Sequence, residues 1–130
     1  MQVLALTFSH DKNCFQPIPI ALNIPIPYEY EGRNIFTALI LDSENDSPFK
    51  QGQVLFCDQE EEPDPMDTVF IEKKDGTGLL KKWLGKTVNG VLVAGCDEPE
   101  NSPKNSVSHE ELLLCDLERL ACVVQVKLKP

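Results

Sequence analysis

No stretch of this sequence approaches the roughly 18 consecutive apolar residues of a membrane-spanning helix, so a membrane protein of the helical kind is not expected. The first residues, MQVLALTFSHDK, lack a basic opening and carry only a short apolar run, which argues against a secretory signal and favours the cytoplasm. Cysteine is present but unpatterned. Cys14, Cys57, Cys96, Cys115 and Cys122 are odd in number and none stands in a C-x-x-C, which argues against a disulfide framework or a zinc site. Histidine is scarce, with His10 and His109 far apart, so no metal and no cofactor is expected, and the thiols read as small buried hydrophobes. Positive charge is short as well: 12 Lys and Arg face 21 Asp and Glu, a formal net charge of −9. A field of that sign repels phosphate backbones. Direct nucleic-acid binding is therefore not expected, and a protein partner with a basic surface fits better.

What is there is a set of short apolar runs separated by proline, glycine, aspartate and serine, the punctuation of a β protein. At 130 residues the chain is long enough for one domain with a proper core. The run Phe36 to Leu41 leads into Asp42-Ser43 and a polar turn closing at Pro48 and Gly52. Val54 to Cys57 follows, then the acidic loop Glu60 to Pro65, which is either a solvated connection or a docking site for a basic partner. Val69 to Ile71 leads through Asp75-Gly76 to Leu79-Leu80-Lys81-Lys82, and Asn89-Gly90 between apolar runs is the strongest hairpin signal in the chain. Cys96 to Ser108 reads as a polar loop.

Residues 1 to 35 differ in character. Val3 to Phe8 has the makings of a short strand, but QPIPIALNIPIP alternates proline with isoleucine and leucine. Proline fixes φ and lacks an amide donor, so the segment is expected as an extended or edge-lying N-terminal arm over residues 1–35, with the β domain over residues 36–130. The stretch SHEELLLCDLERLA opens like a capped helix, Ser108 standing three residues before Glu111. Val123, Val124, Val126 and Leu128 are β-like, and strands are expected for the whole of this last segment.

A serine closing one strand and a lysine on a later strand can form a Ser-Lys pair, in which a neutral lysine takes the proton of the attacking hydroxyl. Asp42-Ser43, Gly52 with Val54-Leu55, Asp75-Gly76 and Leu80-Lys81-Lys82-Trp83 occur here in that order, with Ser43 and Lys81 separated by 38 positions. This ordered set resembles the self-cleaving peptidase domain of the LexA and UmuD family, the regulators of the bacterial SOS response and of phage repressors. The resemblance covers Phe36 to Trp83. It implies a mainly β domain of twisted antiparallel strands, Ser43 as nucleophile, Lys81 as general base and a homodimer built on C-terminal strand surfaces. The short N-terminal segment brings the layout nearer to UmuD than to the repressors with a helix-turn-helix domain.

The same comparison bears on activity. Leu41, Glu44 and Gln53 stand where the family has Gly, Met and Asp. The only glycine before Ser43 is Gly32, preceded by Glu31, so the family's Ala-Gly or Cys-Gly cleavage bond is missing upstream. The expectation is a catalytically silent relative that dimerises or binds a regulatory protein, with a Ser43–Lys81 autopeptidase as the alternative. Strand alternation allows only one of Lys81 and Lys82 to face the serine.

Overall fold

The apolar runs become strands because each is three to six residues, mostly Val, Ile, Leu and Phe, closed off by residues that turn the chain. The computed structural model describes residues 3–43, 48–95 and 109–128. Its strands are β1 (Val3–Ser9), β2 (Cys14–Ile20), β3 (Ile35–Ile40), β4 (Gln53–Asp58), β5 (Thr68–Lys73), β6 (Gly78–Lys86), β7 (Gly90–Gly95), β8 (His109–Leu113) and β9 (Leu117–Leu128). Single 3-10 turns span Tyr28–Tyr30 and Leu114–Asp116. The domain is mainly β, as the sequence indicates. Glu44 and the loop Cys96 to Ser108 lie outside the described residues.

All nine strands belong to one sheet, in the order β2-β1-β3-β4-β9-β5-β6-β7-β8. Every pairing is antiparallel except β1 with β3, which run parallel from Val3↔Thr37 to Leu6↔Ile40. One further bridge, Phe15↔Gly78, joins β2 to β6 and closes the first seven strands of that order into a barrel. The barrel interior takes side chains from all seven, among them Leu6, Phe15, Ile40, Leu55, Phe70, Leu80 and Ala121. Leu6, Leu55 and Phe70 are fully buried, and each such side chain stabilises the fold by about 1.5–3 kcal/mol.

The outer face of the sheet is covered twice. Over β1, β3 and β4, Val3, Ile35, Leu39, Val54 and Phe56 form a second apolar layer on which Ile24 and Ile26 press. Over β5 and β6, Val69, Ile71 and Trp83 pack with Val91, Val93 and Leu112 of β7 and β8. The last two strands thus continue the sheet and curl back over it.

The arm expected over residues 1–35 is divided. β1 is an inner strand between β2 and β3, and Val3, Leu4, Ala5 and Leu6 are all buried. It has no proline, so every residue can donate to a ladder, which the proline-bearing residues after it cannot do. β2 keeps the edge-lying character: Pro17 and Pro19 pair only with Leu6 and Leu4 of β1, on the side where a missing amide costs no second partner. Residues 21–27 carry no strand and alone behave as an extended strap.

The segment after Ser108 is strand, 3-10 turn, strand. A helix there would leave the edges of β7 and β5 unpaired, and buried backbone donors and acceptors need partners; instead Val91 pairs with Leu112 and Ile71 with Leu120. The hairpin at Asn89-Gly90 is present, with Thr87 N–H donating to Gly90 O at 2.9 Å.

Gly90 is required by contact. A Cβ on it would stand 1.9 Å from the carbonyl oxygen of Leu112. Because that atom is backbone in a paired strand, relief requires β7 and β8 to separate. Gly90→Ala is expected to cost about 3 kcal/mol, read as a lower urea midpoint; an unchanged midpoint would contradict the close approach.

Candidate functional site

Ser43 follows the end of β3, where the chain turns out of the barrel. Leu41 N–H and Asp42 N–H both donate to Leu6 O, at 2.9 and 3.4 Å, and Gly52 N–H donates to Ile40 O at 2.8 Å to close the loop. Gly52 has φ of 90°, the left-handed region that favours glycine. Phe49 of this loop is buried in the barrel interior, and Ser43 itself is half-buried.

The two lysines are placed by alternation along β6. Leu80 points into the barrel, whereas Leu79 and Trp83 belong to the outer layer beneath β7 and β8. Lys81 shares the outer face with Leu79 and Trp83, and Lys82 shares the Leu80 face. Lys81 Nζ lies 3.5 Å from Glu110 Oε1 on β8. Among the described residues no hydrogen bond joins Ser43 to Lys81 or Lys82. In the sheet, β1 and β2 separate β3 from β6 on one side and β4, β9 and β5 on the other. The structure thus does not join Ser43 to Lys81, and the lysine's carboxylate partner, Glu110, is not among the residues expected from the sequence.

Around Lys81 the fold forms a cleft of about 320 Å³. Its walls are the β1–β2 turn with Lys12 and Asn13, the β5–β6 turn with Lys73, Asp75 and Thr77, and β8 with Glu110 and Leu112. Asn13 holds the first turn with φ of 54°, a conformation that Asn tolerates better than most residues. In the second turn Asp75 Oδ1 accepts from Thr77 N–H at 3.0 Å and from Thr77 Oγ1–H at 2.6 Å. These bonds, the hydroxyl's first, hold the Asp75 carboxyl below its ordinary range.

The acidic loop is tied down by its own fold. Buried Asp58 accepts from Arg33 Nε–H and, at 2.9 Å, from Glu60 N–H. Arg33 also reaches Glu61 at 3.1 Å, Asn34 N–H donates to Glu60 at 3.2 Å, and Lys86 lies 3.3 Å from Glu62. These contacts tie the β4–β5 connection to the entry to β3 and to the end of β6.

Cys57 and Cys122 lie on the paired strands β4 and β9. Cys14, Cys57 and Cys122 are buried and Cys115 is exposed; no group of three or more His, Cys, Asp or Glu suited to a metal occurs among the described residues. Burial pushes the Cys57 thiol well up, and burial with the nearby Asp67 carboxylate pushes Cys122 up to about 11. No helix among the described residues is long and apolar enough to cross a membrane. No protein-family model matches the chain, and no curated protein matches it.

The cleft turn offers a local check. In an NMR titration the Asp75 carboxyl is expected to titrate below its ordinary 3.8, and Thr77→Val, which removes the hydroxyl donor, to move it upward. Because the folded value is the lower one, the stabilisation is present at neutral pH and lost as pH falls through that value. A wild-type midpoint at or above the ordinary range would contradict the turn geometry.

Proposed function

We propose that this chain is a non-cleaving relative of the LexA and UmuD peptidase domains that works by binding, in SOS-response or prophage regulation. The observation that carries the reading is the partner of Lys81: its ammonium lies against Glu110, and Ser43 has no hydrogen bond to it. A general base must reach the proton it removes, within about 3.2 Å or through one water. The missing upstream cleavage bond points the same way.

Of the two binding modes, a regulatory protein fits better than a second copy. β9 pairs on both sides, with β4 and β5, and so offers no edge for the dimer that the resemblance implies. β8 pairs only with β7, and Leu113 and Leu114 are exposed beside it. Antiparallel pairing of β8 with itself, centred between Glu110 and Glu111, would set Glu110 of one copy opposite Glu111 of the other, which is unfavourable.

Intact mass followed over days tests the silent reading, with wild type compared to Ser43→Ala and Lys81→Ala from neutral to alkaline pH. The mass is expected to stay constant throughout. Two fragments formed only when both side chains are present would overturn the reading and establish the autopeptidase. The alkaline arm has a limit set by the fold. Cys57 and Cys122 have raised values in the folded state, so their contribution is full below the unfolded thiol value of about 8.5 and is lost as pH rises, for Cys122 toward about 11 and for Cys57 beyond it. Thermal melts are accordingly expected to fall above about pH 8.5, and Cys122→Ala to reduce that fall; a wild-type melt independent of pH over this window would contradict the burial of the two thiols.

A further inference from the structure

Most ion-paired cations of this acidic chain have structural duties: Arg33 on Asp58 and Glu61, Lys86 on Glu62, Arg119 on Glu72. The cleft at the β1–β2 turn is different. Lys12 and Lys73 line it, and neither forms an ion pair within 4.0 Å among the described residues. Of the two carboxylates in its wall, Asp75 accepts from Thr77 and lies in the fields of Lys73 and Lys12, and Glu110 pairs with Lys81. Glu110 is 53% exposed and its contact with Lys81 is 3.5 Å long, a screened pair that a competing carboxylate can displace at little cost. Leu79 and Leu112 supply an apolar wall. The cleft therefore sets three lysines and two carboxylates, a net positive lining, beside an aliphatic surface carried on strands and tight turns.

We propose that this cleft binds an acidic and aliphatic peptide segment of a partner protein, its carboxylates on Lys12, Lys73 and Lys81 and an aliphatic side chain against Leu79 and Leu112. The proposal rests on the binding reading above and names the chemistry of the partner. At about 320 Å³ the cleft holds a few side chains, at the lower end of ligand pockets. A nucleic acid would extend beyond it into the field of a chain with net charge −9. The acidic loop of a second copy already has partners in its own chain, Glu60 on Asn34, Glu61 on Arg33 and Glu62 on Lys86.

The test is fluorescence anisotropy of a labelled synthetic octapeptide alternating Glu and Leu, titrated with the full chain at low and at high salt. Saturable binding that weakens with salt is expected. Lys73→Glu should weaken it roughly tenfold, while Lys50→Glu, the same charge change outside the cleft, should alter it less than about twofold. If Lys73→Glu lowers the melting temperature, Lys12→Glu on the exposed turn makes the same comparison. Absence of saturable binding, equal weakening by the cleft and control substitutions, or tighter binding of a single-stranded oligonucleotide of the same length would each overturn the proposal and leave the non-cleaving reading standing. A peptide bound with the expected dependence and then cut, seen by mass, would uphold the cleft and overturn that reading instead.

Discussion

Strand β9 carries two ladders at once, to β4 through Gln53 to Asp58 and to β5 through Val69 to Lys73, and the rest of the structure hangs from that double pairing. On one side stand β1 to β4 with the proline strap, and on the other β5 to β8. Neither block encloses the barrel interior alone. Ala121 of β9 lies opposite Phe70 in register and brings no ring of its own, and the rings of Phe36 and Phe70 meet edge to face at 5.7 Å, a favourable geometry for aromatic pairs. Arg119, two residues earlier, pairs with Glu72 at 2.9 Å and lies 4.2 Å from the centre of the Phe36 ring, so charge and ring both tie the two blocks through the same strand.

The same arrangement decides what the lysines of β6 can reach. A strand covered on both faces gives each side chain a side, and Lys81 falls on the one that β8 curls over. Its surroundings are therefore Glu110, Leu112 and the two turns at the open end, and the serine end of β3 belongs to a different part of the sheet. The electrostatics follow. Four of the acidic residues, Asp58 and Glu60 to Glu62, are held by Arg33, Asn34 and Lys86, while three lysines line the cleft beside Asp75 and Glu110.

Much of the architecture is legible in the sequence because it is local. Runs such as Val54 to Cys57 and Val69 to Ile71 are bounded by turn residues, and Asn89-Gly90 marks its hairpin without help from the rest of the chain. The role of β1 is not legible, since nothing in VLALTF distinguishes a strand paired on both sides from one at an edge; only the later arrival of β3 alongside it decides. The leucines near residue 113 fit a helical face and a strand almost equally, and the edges of β5 and β7 settle the matter. For the site, Ser43 and Lys81 can be named from spacing, but Glu110 cannot. It joins Lys81 through the curl of β8, and no local pattern in HEELL points to a partner 29 residues upstream. Gly90 was legible as a turn signal for one reason and is needed for another, the approach of the Leu112 carbonyl.

The position of β9 in sequence order also governs assembly during synthesis. β4 and β5 are complete by Lys73, yet the strand that joins them spans residues 117–128. At about 5–20 residues per second, the interval for roughly 55 residues is about 3–11 s. Over that time both facing edges stand open, each flanked by apolar side chains such as Leu55 and Phe70, and open edges of this kind are templates for pairing with another chain. The nascent chain is most exposed to misassembly just before β9 leaves the ribosome, and substitutions that slow or weaken β9 are felt first as a loss of yield.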